Sequence, residues 1–600
     1  MPFINVDEAT RKYFDYIIVG GGTSGLALAT RLSENPKISV LVVEAGQSHF
    51  HDPKVDIPSN FGSVLDDPKY VWDFTTAEQP NLNGRVLPMP RGKGLGGSSN
   101  VNLFVWCKPP AADIDAIEKL GNPGWNWDDF AKYSKRSEAF NPPSQSMVDA
   151  YPGLTFNPEY RGAEGSIQIS FPPQSYTVDK MVRQAILQMP DVDVVGDPTG
   201  GDITGTWMCS ANIDPRKCER VTSATGYLLP HLKRENLSVL TECSASRVLL
   251  NDLHVAGDLT ASGVEIIYQE QCHFVQGSFV IFPVNSPHIL ELSGIGNPSI
   301  LSDIGLDVKV DLPGVGENLQ EHTVLITTFE LRPDTSAEYF DLFVDPEHRE
   351  LAEKTYASGA GYRMGVTSQT FVPLAIANPD EFEDIVLRAE QEVEALKDSG
   401  SLPLGLCEQY VIQLENLRNP SLPDHQVMTL PGSYPVACPD KRCITMLGGQ
   451  HHPFSRGSTH ATSKNPSHHP RIDPNHISTG IDLELGIQDI KLARKIAATE
   501  PLKSAILQEI TPGPAFVTDE DLREWAKAEL YPMWHTIGTC SMLPREKNGV
   551  VDPYLKVYGT SNLYVADLSI IPLHFAAHSQ TIAYAIGEKA ADILARKEQQ

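Results

Sequence analysis

Residues 15–44 constrain this chain more than any other stretch. Residues 15–19 (DYIIV) form a short apolar run rich in β-branched side chains, and Gly20, Gly22 and Gly25 follow it at once. Residues 26–32 read as helix, and residues 39–43 (SVLVV) form a second apolar run closed by Glu44. That order predicts strand, glycine turn, helix and buried strand. The first glycine permits the tight turn, the second lets the backbone approach a pyrophosphate, and the third lets helix and strand pack closely. The helix N-terminus then faces the phosphates. Glu44 stands where a carboxylate accepts hydrogen bonds from an adenosine ribose, and its charge disfavours a 2′-phosphate. The unit predicts a dinucleotide site without choosing among dinucleotides.

The rest of the sequence limits the setting. At 600 residues the chain exceeds the size of one hydrophobic core, so two or more core regions are expected. The formal charge is -28, with no basic stripe to follow a phosphate backbone, so nucleic acid is not an expected partner. Apolar runs such as residues 278–284 are too short to span a bilayer, and no membrane partner is expected. Residues 1–13 are charged and lack the apolar segment of a secretory signal, and the nine cysteines fit reduced thiols. A cytoplasmic protein is the expectation. Cys438 and Cys443 are close in sequence but have no matching Cys/His pair and read as thiols. His451, His452, His468 and His469 lie in loop-like surroundings and read as solvated side chains, with no metal assigned.

Residues 91–102, RGKGLGGSSNVN, resemble the first signature of the glucose-methanol-choline (GMC) oxidoreductase family, whose glycine-serine loop passes beside a flavin. Residues 285–296, NSPHILELSGIG, resemble the later part of its second signature, preceded here by Phe282 and Pro283 in place of small residues. Further matches are TSATGYL at residues 222–228, LPGVGENLQEH at 312–322 and the stretch at 455–475. They cover nearly the whole chain in family order. The resemblance implies FAD as cofactor and an α/β fold, a Rossmann-type FAD-binding domain interleaved with an α+β substrate domain of antiparallel sheet and helices. It implies that residues 1–322 are mainly FAD domain, 323–527 mainly substrate domain, and 528–600 a return to the FAD domain.

Carried over by position, the resemblance puts Gly20, Gly22, Gly25 and the backbone of Thr23 and Ser24 near the pyrophosphate, with Glu44 and Ala45 near the ribose. Ala245 falls where the backbone meets adenine, and Trp72 at the flavin edge. Ser98, Asn102, Leu103, Phe104 and Val105 lie along the flavin and its ribityl arm. Asp567 approaches the pyrophosphate and ribityl region, while Gln580 and Thr581 follow near the pyrimidine end of the ring. Members with covalent flavin commonly carry a histidine where this chain has Val101, so noncovalent FAD is expected.

An alcohol gives up its carbon-bound hydride readily only as the hydroxyl proton leaves, so a base is needed beside the oxygen; histidine suits that task. Residues 531–539, YPMWHTIGT, resemble the family's catalytic-histidine motif, with Thr536 where proline is frequent, and assign His535 as base. Trp534 precedes it, at a position that shapes access in aryl-alcohol oxidases; Leu103 stands where those enzymes carry a gating tyrosine. In IPLHFAAHSQT, family spacing selects His578 over His574 as the residue that orients the substrate oxygen. The expected reaction is FAD-dependent oxidation of a primary alcohol, benzylic, allylic or otherwise activated, to an aldehyde, with O2 as acceptor. A dehydrogenase with another acceptor, a lyase or photodecarboxylase on the same scaffold, and a noncatalytic flavoprotein remain the alternatives.

Overall fold

The structure is a computed structural model that describes residues 2–597 apart from 174–175, 256, 283–284, 337, 339, 343, 362 and 436–437. Pro283 and the end of the apolar run at 278–284 thus lie outside the described residues. In chain order the strands that position the site begin with β1 (Tyr13–Val19), β2 (Val40–Val43), β3 (Gly205–Met208), β4 (Leu237–Leu240), β5 (Ser244–Val255), β6 (Asp258–Tyr268) and β7 (Gln271–Phe282). They continue with β8 (Thr323–Leu331), β9 (Ser368–Val372), β10 (His425–Leu430), β11 (Cys443–Gln450), β12 (Ile506–Thr511), β13 (Tyr531–Pro532) and β14 (Leu563–Val565). Four helices matter most: α1 (Thr23–Leu32), α2 (Ser286–Leu292), α3 (Gly480–Ala497) and α4 (Gln580–Lys597).

The first sheet has a parallel centre in the order β4-β2-β1-β7, and β14 joins the C-terminal half of β7, also parallel. The N-terminal half of β7 pairs instead with β6, and β6 with β5, both antiparallel. All four residues of β2 are buried, as the apolar run at 39–43 requires of a central parallel strand. Helix α1 starts three residues earlier than the apolar pattern suggested. Gly22 is its N-cap in extended backbone, so Thr23, Ser24 and Gly25 make the first turn. Helix α4 packs directly on α1. A Cβ on Gly587 would meet the Ser24 carbonyl oxygen at 2.5 Å, and Ser24 Oγ donates to the Ala583 carbonyl at 2.8 Å.

The second sheet is antiparallel throughout, in the order β12-β8-β11-β10-β9-β3, with β13 also paired to β8. Strands β8 to β12 come from residues 323–527, whereas β3 and β13 come from outside that span. Helix α3 covers this sheet closely: a Cβ on Gly448 would lie 2.5 Å from Asp489 Cβ. One continuous apolar core joins the two sheets, including Ile18, Val42 and Phe282 from the first and Ile326, Phe371 and Met446 from the second. Among the described residues no disulfide forms, and burial followed by the neighbouring Cys438 pushes the Cys443 thiol up to about 12. No described helix is long and apolar enough to cross a membrane.

Candidate active site

At the C-terminal ends of β1 and β2 lies a cavity of about 250 Å³ lined by Gly20, Gly22, Glu44, Ala45, Trp72 and Ala245, among others. Gly20 has φ 118°, a backbone open to glycine. The glycine-serine loop closes one wall so tightly that a Cβ on Gly97 would lie 2.7 Å from Gly22 Cα. Bare backbone and a helix N-terminus at a cavity fit a dinucleotide such as FAD. His288 on α2 also lines this cavity, and its Nε2 has no partner among the described residues. Trp72, expected at the flavin edge, stands in the same cavity as Ala245, with Lys93 Nζ 4.6 Å from its ring centroid.

Glu44, expected at a ribose, is held by three backbone N–H groups. Its Oε2 accepts from Gly21 N at 2.7 Å, and its Oε1 accepts from Gly46 N at 2.8 Å and Gly94 N at 2.9 Å. One carboxylate therefore ties the glycine turn, its own strand end and the glycine-serine loop together. The loop at residues 466–470, carrying His468 and His469, forms another wall of the cavity.

The segment at residues 98–105 is strapped to the N-terminus of α4. Asn102 Nδ2 donates to Gln580 Oε1 at 2.8 Å, Gln580 Nε2 donates to the Val105 carbonyl at 3.2 Å, and Thr581 Oγ1 donates to the Cys107 carbonyl at 2.7 Å. Buried Arg220 completes the strap by donating to Asn102 Oδ1 at 2.7 Å while stacking 3.6 Å over the Phe104 ring centroid. Phe104 holds φ 67°, and Leu103 packs against the main core. Ser98 Oγ accepts from Gly92 N at 3.2 Å. Asp567 is occupied by Ser286 Oγ at 2.6 Å and Ser569 N at 2.7 Å, and burial raises its pKa. Val101 is buried in an apolar cluster with Val55, Val64, Tyr70 and Val71.

His535 and His578 come together, their ring centroids 4.9 Å apart at 68°. Pairing of β13 with the start of β8 brings residues 320–324 alongside 531–537, with Met533 N donating to the His322 carbonyl at 2.9 Å. Glu321 fixes the peptide at His535: its Oε1 accepts from His535 N at 2.5 Å and its Oε2 from the Thr536 hydroxyl at 2.6 Å. Arg91 donates to Thr536 Oγ1 and lies 3.7 Å from Glu321. Burial raises the Glu321 carboxyl to about 7, with Arg91 opposing. Proline at position 536 could not supply that hydroxyl. Trp534, at φ 62°, donates its indole N–H to the Pro88 carbonyl at 2.9 Å.

The ring protons can be assigned from the partners. His574 Nδ1 accepts from Phe575 N at 3.1 Å, so its Nε2–H donates to the His535 carbonyl at 3.1 Å. His451 Nε2 donates to Gln426 Oε1 at 2.9 Å, which turns the Gln426 amide nitrogen toward His578 Nε2 at 2.9 Å. His578 Nε2 must then accept, leaving Nδ1 as its N–H. Burial holds the His578 imidazole at about 4, and burial followed by His578, His574 and Arg91 holds His535 well below its ordinary value. Both are neutral at neutral pH.

The expectation of solvated side chains at His451 and His452 is corrected: both are buried. They continue straight from β11 into the core, and His452 lies 3.1 Å from Asp113 and 3.3 Å from Asp424. Burial alone would lower it, but the two carboxylates raise it to about 10. Glu321, His322, Gln426 and Arg220 were not singled out from sequence. The motif ending at His322 marked the first two; for Gln426 the sequence gives no local signal.

Residues 14–324 and 453–587 match the two family models described as GMC oxidoreductase. The chain belongs to the GMC oxidoreductase family, a class of enzymes that carry out FAD-dependent alcohol oxidation. It is 33% identical to the GMC oxidoreductase family protein Mala s 12 of Malassezia sympodialis, over 97% of this chain and 92% of that one. Among solved structures it is similar to an FAD-dependent oxidoreductase from Chaetomium thermophilum, with a TM-score of 0.90 at 27% identity, covering 98% of this chain and 100% of that one. A fungal aryl-alcohol oxidase gives a TM-score of 0.88 at 27% identity, with the same coverage.

Proposed function

We propose that this protein oxidises a primary alcohol, benzylic, allylic or otherwise activated, to the aldehyde, with noncovalently held FAD and O2 as acceptor. The observation that carries the reading is the neutral pair His535 and His578, with ring centroids 4.9 Å apart and the His578 proton on Nδ1. When bound, FAD supplies the hydride acceptor. His535 takes the hydroxyl proton, and the N–H of His578 holds the developing alkoxide oxygen. Glu321, Thr536 and Arg91 hold the His535 backbone so that its ring keeps one direction. The aryl-alcohol oxidase likeness supports an activated alcohol, and apolar Val101, which has no nucleophilic atom, supports noncovalent FAD.

An anaerobic panel of benzylic, allylic, simple aliphatic and sugar alcohols, read by flavin absorbance and followed by admission of air, tests the reading. Bleaching by benzylic or allylic alcohols with prompt recovery in air is expected. No bleaching by any alcohol sinks alcohol oxidation, and bleaching without recovery sinks O2 as acceptor. Mass spectrometry of the denatured polypeptide is expected to show no added flavin mass.

A further inference from the structure

Four buried histidines, His322, His451, His452 and His574, gather around the reacting pair, and one of them has no task in the scheme above. His322, immediately before β8, places its Nδ1 2.9 Å from Nδ1 of His535. Its ring is stacked 3.5 Å from that of His574 and lies 4.2 Å from that of His451. Its Nε2 is buried without a partner among the described residues.

Two facing Nδ1 atoms can share only one proton when both rings are neutral. If His322 donates it, His535 carries its own proton on Nε2 and has no lone pair there for the alcohol. If His535 donates it, His535 Nε2 is free to accept and His322 carries its proton on Nε2. Only the second arrangement gives a base at Nε2. It also survives the chemistry: when His535 Nε2 gains the alcohol proton, its Nδ1–H still has an acceptor, and no proton has to leave.

We infer that His322 is a positioning residue whose Nδ1 accepts the Nδ1–H of His535 and so keeps His535 Nε2 as the proton-accepting atom. The inference rests on His535 being the base. The two rings are held in register by the pairing of β13 with β8 and by the Glu321 bonds to His535 N and Thr536, so the contact is built into the backbone. A neutral imidazole here does the orienting that a carboxylate does in a serine-hydrolase triad, without adding a buried negative charge. The other titratable or charged groups facing this pair are His451, His452, His574, His578, Glu321 and Arg91, and the test variants leave all of them in place.

The test is anaerobic single-turnover flavin reduction of purified, FAD-loaded variants across pH. His322→Phe keeps a stacking ring but removes the acceptor; its limiting rate is expected to fall at least about tenfold with half-saturation changed less than about threefold. His322→Asn, whose amide oxygen still accepts, should recover most of the rate. His322→Asp should move the acid limb to higher pH, because a carboxylate acceptor favours imidazolium. A parental rate in His322→Phe, equal loss in the Phe and Asn variants, or an unmoved limb in His322→Asp overturns the inference. If FAD-loaded His535→Ala is reduced at the parental rate, the base reading itself falls. If His535→Ala is slow while the His322 variants behave as parent, only the role of His322 falls.

Discussion

At His535 the peptide N–H, Nδ1 and the carbonyl oxygen are each held by a different residue, Glu321, His322 and His574. In the proposed scheme, so constrained a ring leaves Nε2 as its one working atom. We expect His535→Ala to retain FAD and slow flavin reduction by at least about a hundredfold, the lower range for loss of general acid-base help. Stopped-flow reduction of FAD-loaded variant checks this, and a parental rate would contradict it. The pH dependence follows from burial. An exposed histidine would lose its base form below about pH 6.5. Because burial holds His578 at about 4 and His535 well below its ordinary value, the base form persists to lower pH. The acid limb of kcat/KM, which reports the free enzyme, should therefore lie below about pH 6.5. A limb at or above that value would show that the pair is not held neutral by burial. Glu44 has a different balance of duties: three backbone N–H groups already use its carboxylate. Glu44→Ala should weaken FAD retention and lower thermal stability together, since it strands buried donors. Equilibrium dialysis beside a thermal melt measures both, and unchanged FAD affinity would remove Glu44 from the cofactor site.

Among the elements, the hairpin of Ser458–His460 paired with Arg471–Asp473 has no buried residue in either strand, yet its loop walls the cavity at the ends of β1 and β2. What anchors it is His460, with Nδ1 2.7 Å from Glu291 on α2 and Nε2 3.3 Å from Glu317. Burial would lower this imidazole, but the bonds to Glu291 and Glu317 raise it to about 9. A raised pKa means that the folded state binds the proton more tightly than the unfolded one. Its contribution is fully present below the unfolded value of about 6.5 and is lost as pH rises through about 9. His460→Gln should therefore melt lower than the parent at pH 6, with the gap closing by pH values above about 9. A gap of constant size across that range would mean the bond is not a charged one. The α1–α4 pair makes a sharper demand, because Gly587 lets α4 approach the Ser24 carbonyl. Gly587→Ala must push the helices apart at a cost of about 1–3 kcal/mol. Chemical denaturation of the two proteins measures that loss, and equal stability would show the helices can shift freely.

Across the whole molecule, local chemistry and, through the family resemblance, the two-part α/β architecture were legible in the sequence, and individual long-range side-chain contacts were not. Residues 15–44 declared strand, turn, helix and strand because each step is dictated by neighbours in sequence, and His535 and His578 stood out through motif spacing. Burial of His451 and His452 was misread, since a loop-like sequence does not say that the loop runs inward from β11 between Asp113 and Asp424. Gln426 was invisible for the same reason: its partner His578 is 152 residues away, and a glutamine in a buried strand carries no mark of its function. That contact is where β10 of the antiparallel sheet reaches the pair, through His451 to Gln426 to His578. If Gln426 matters only because its amide holds Nε2 of His578, its effect must pass through that ring. Gln426→Leu in the parent should then slow flavin reduction by roughly tenfold, whereas the same change in a His578→Ala background should cost almost nothing further. Limiting rates of anaerobic reduction for the four FAD-loaded proteins close this cycle. Additive losses would show that Gln426 acts on the substrate or the sheet independently, and that the second sheet does not set the direction of His578.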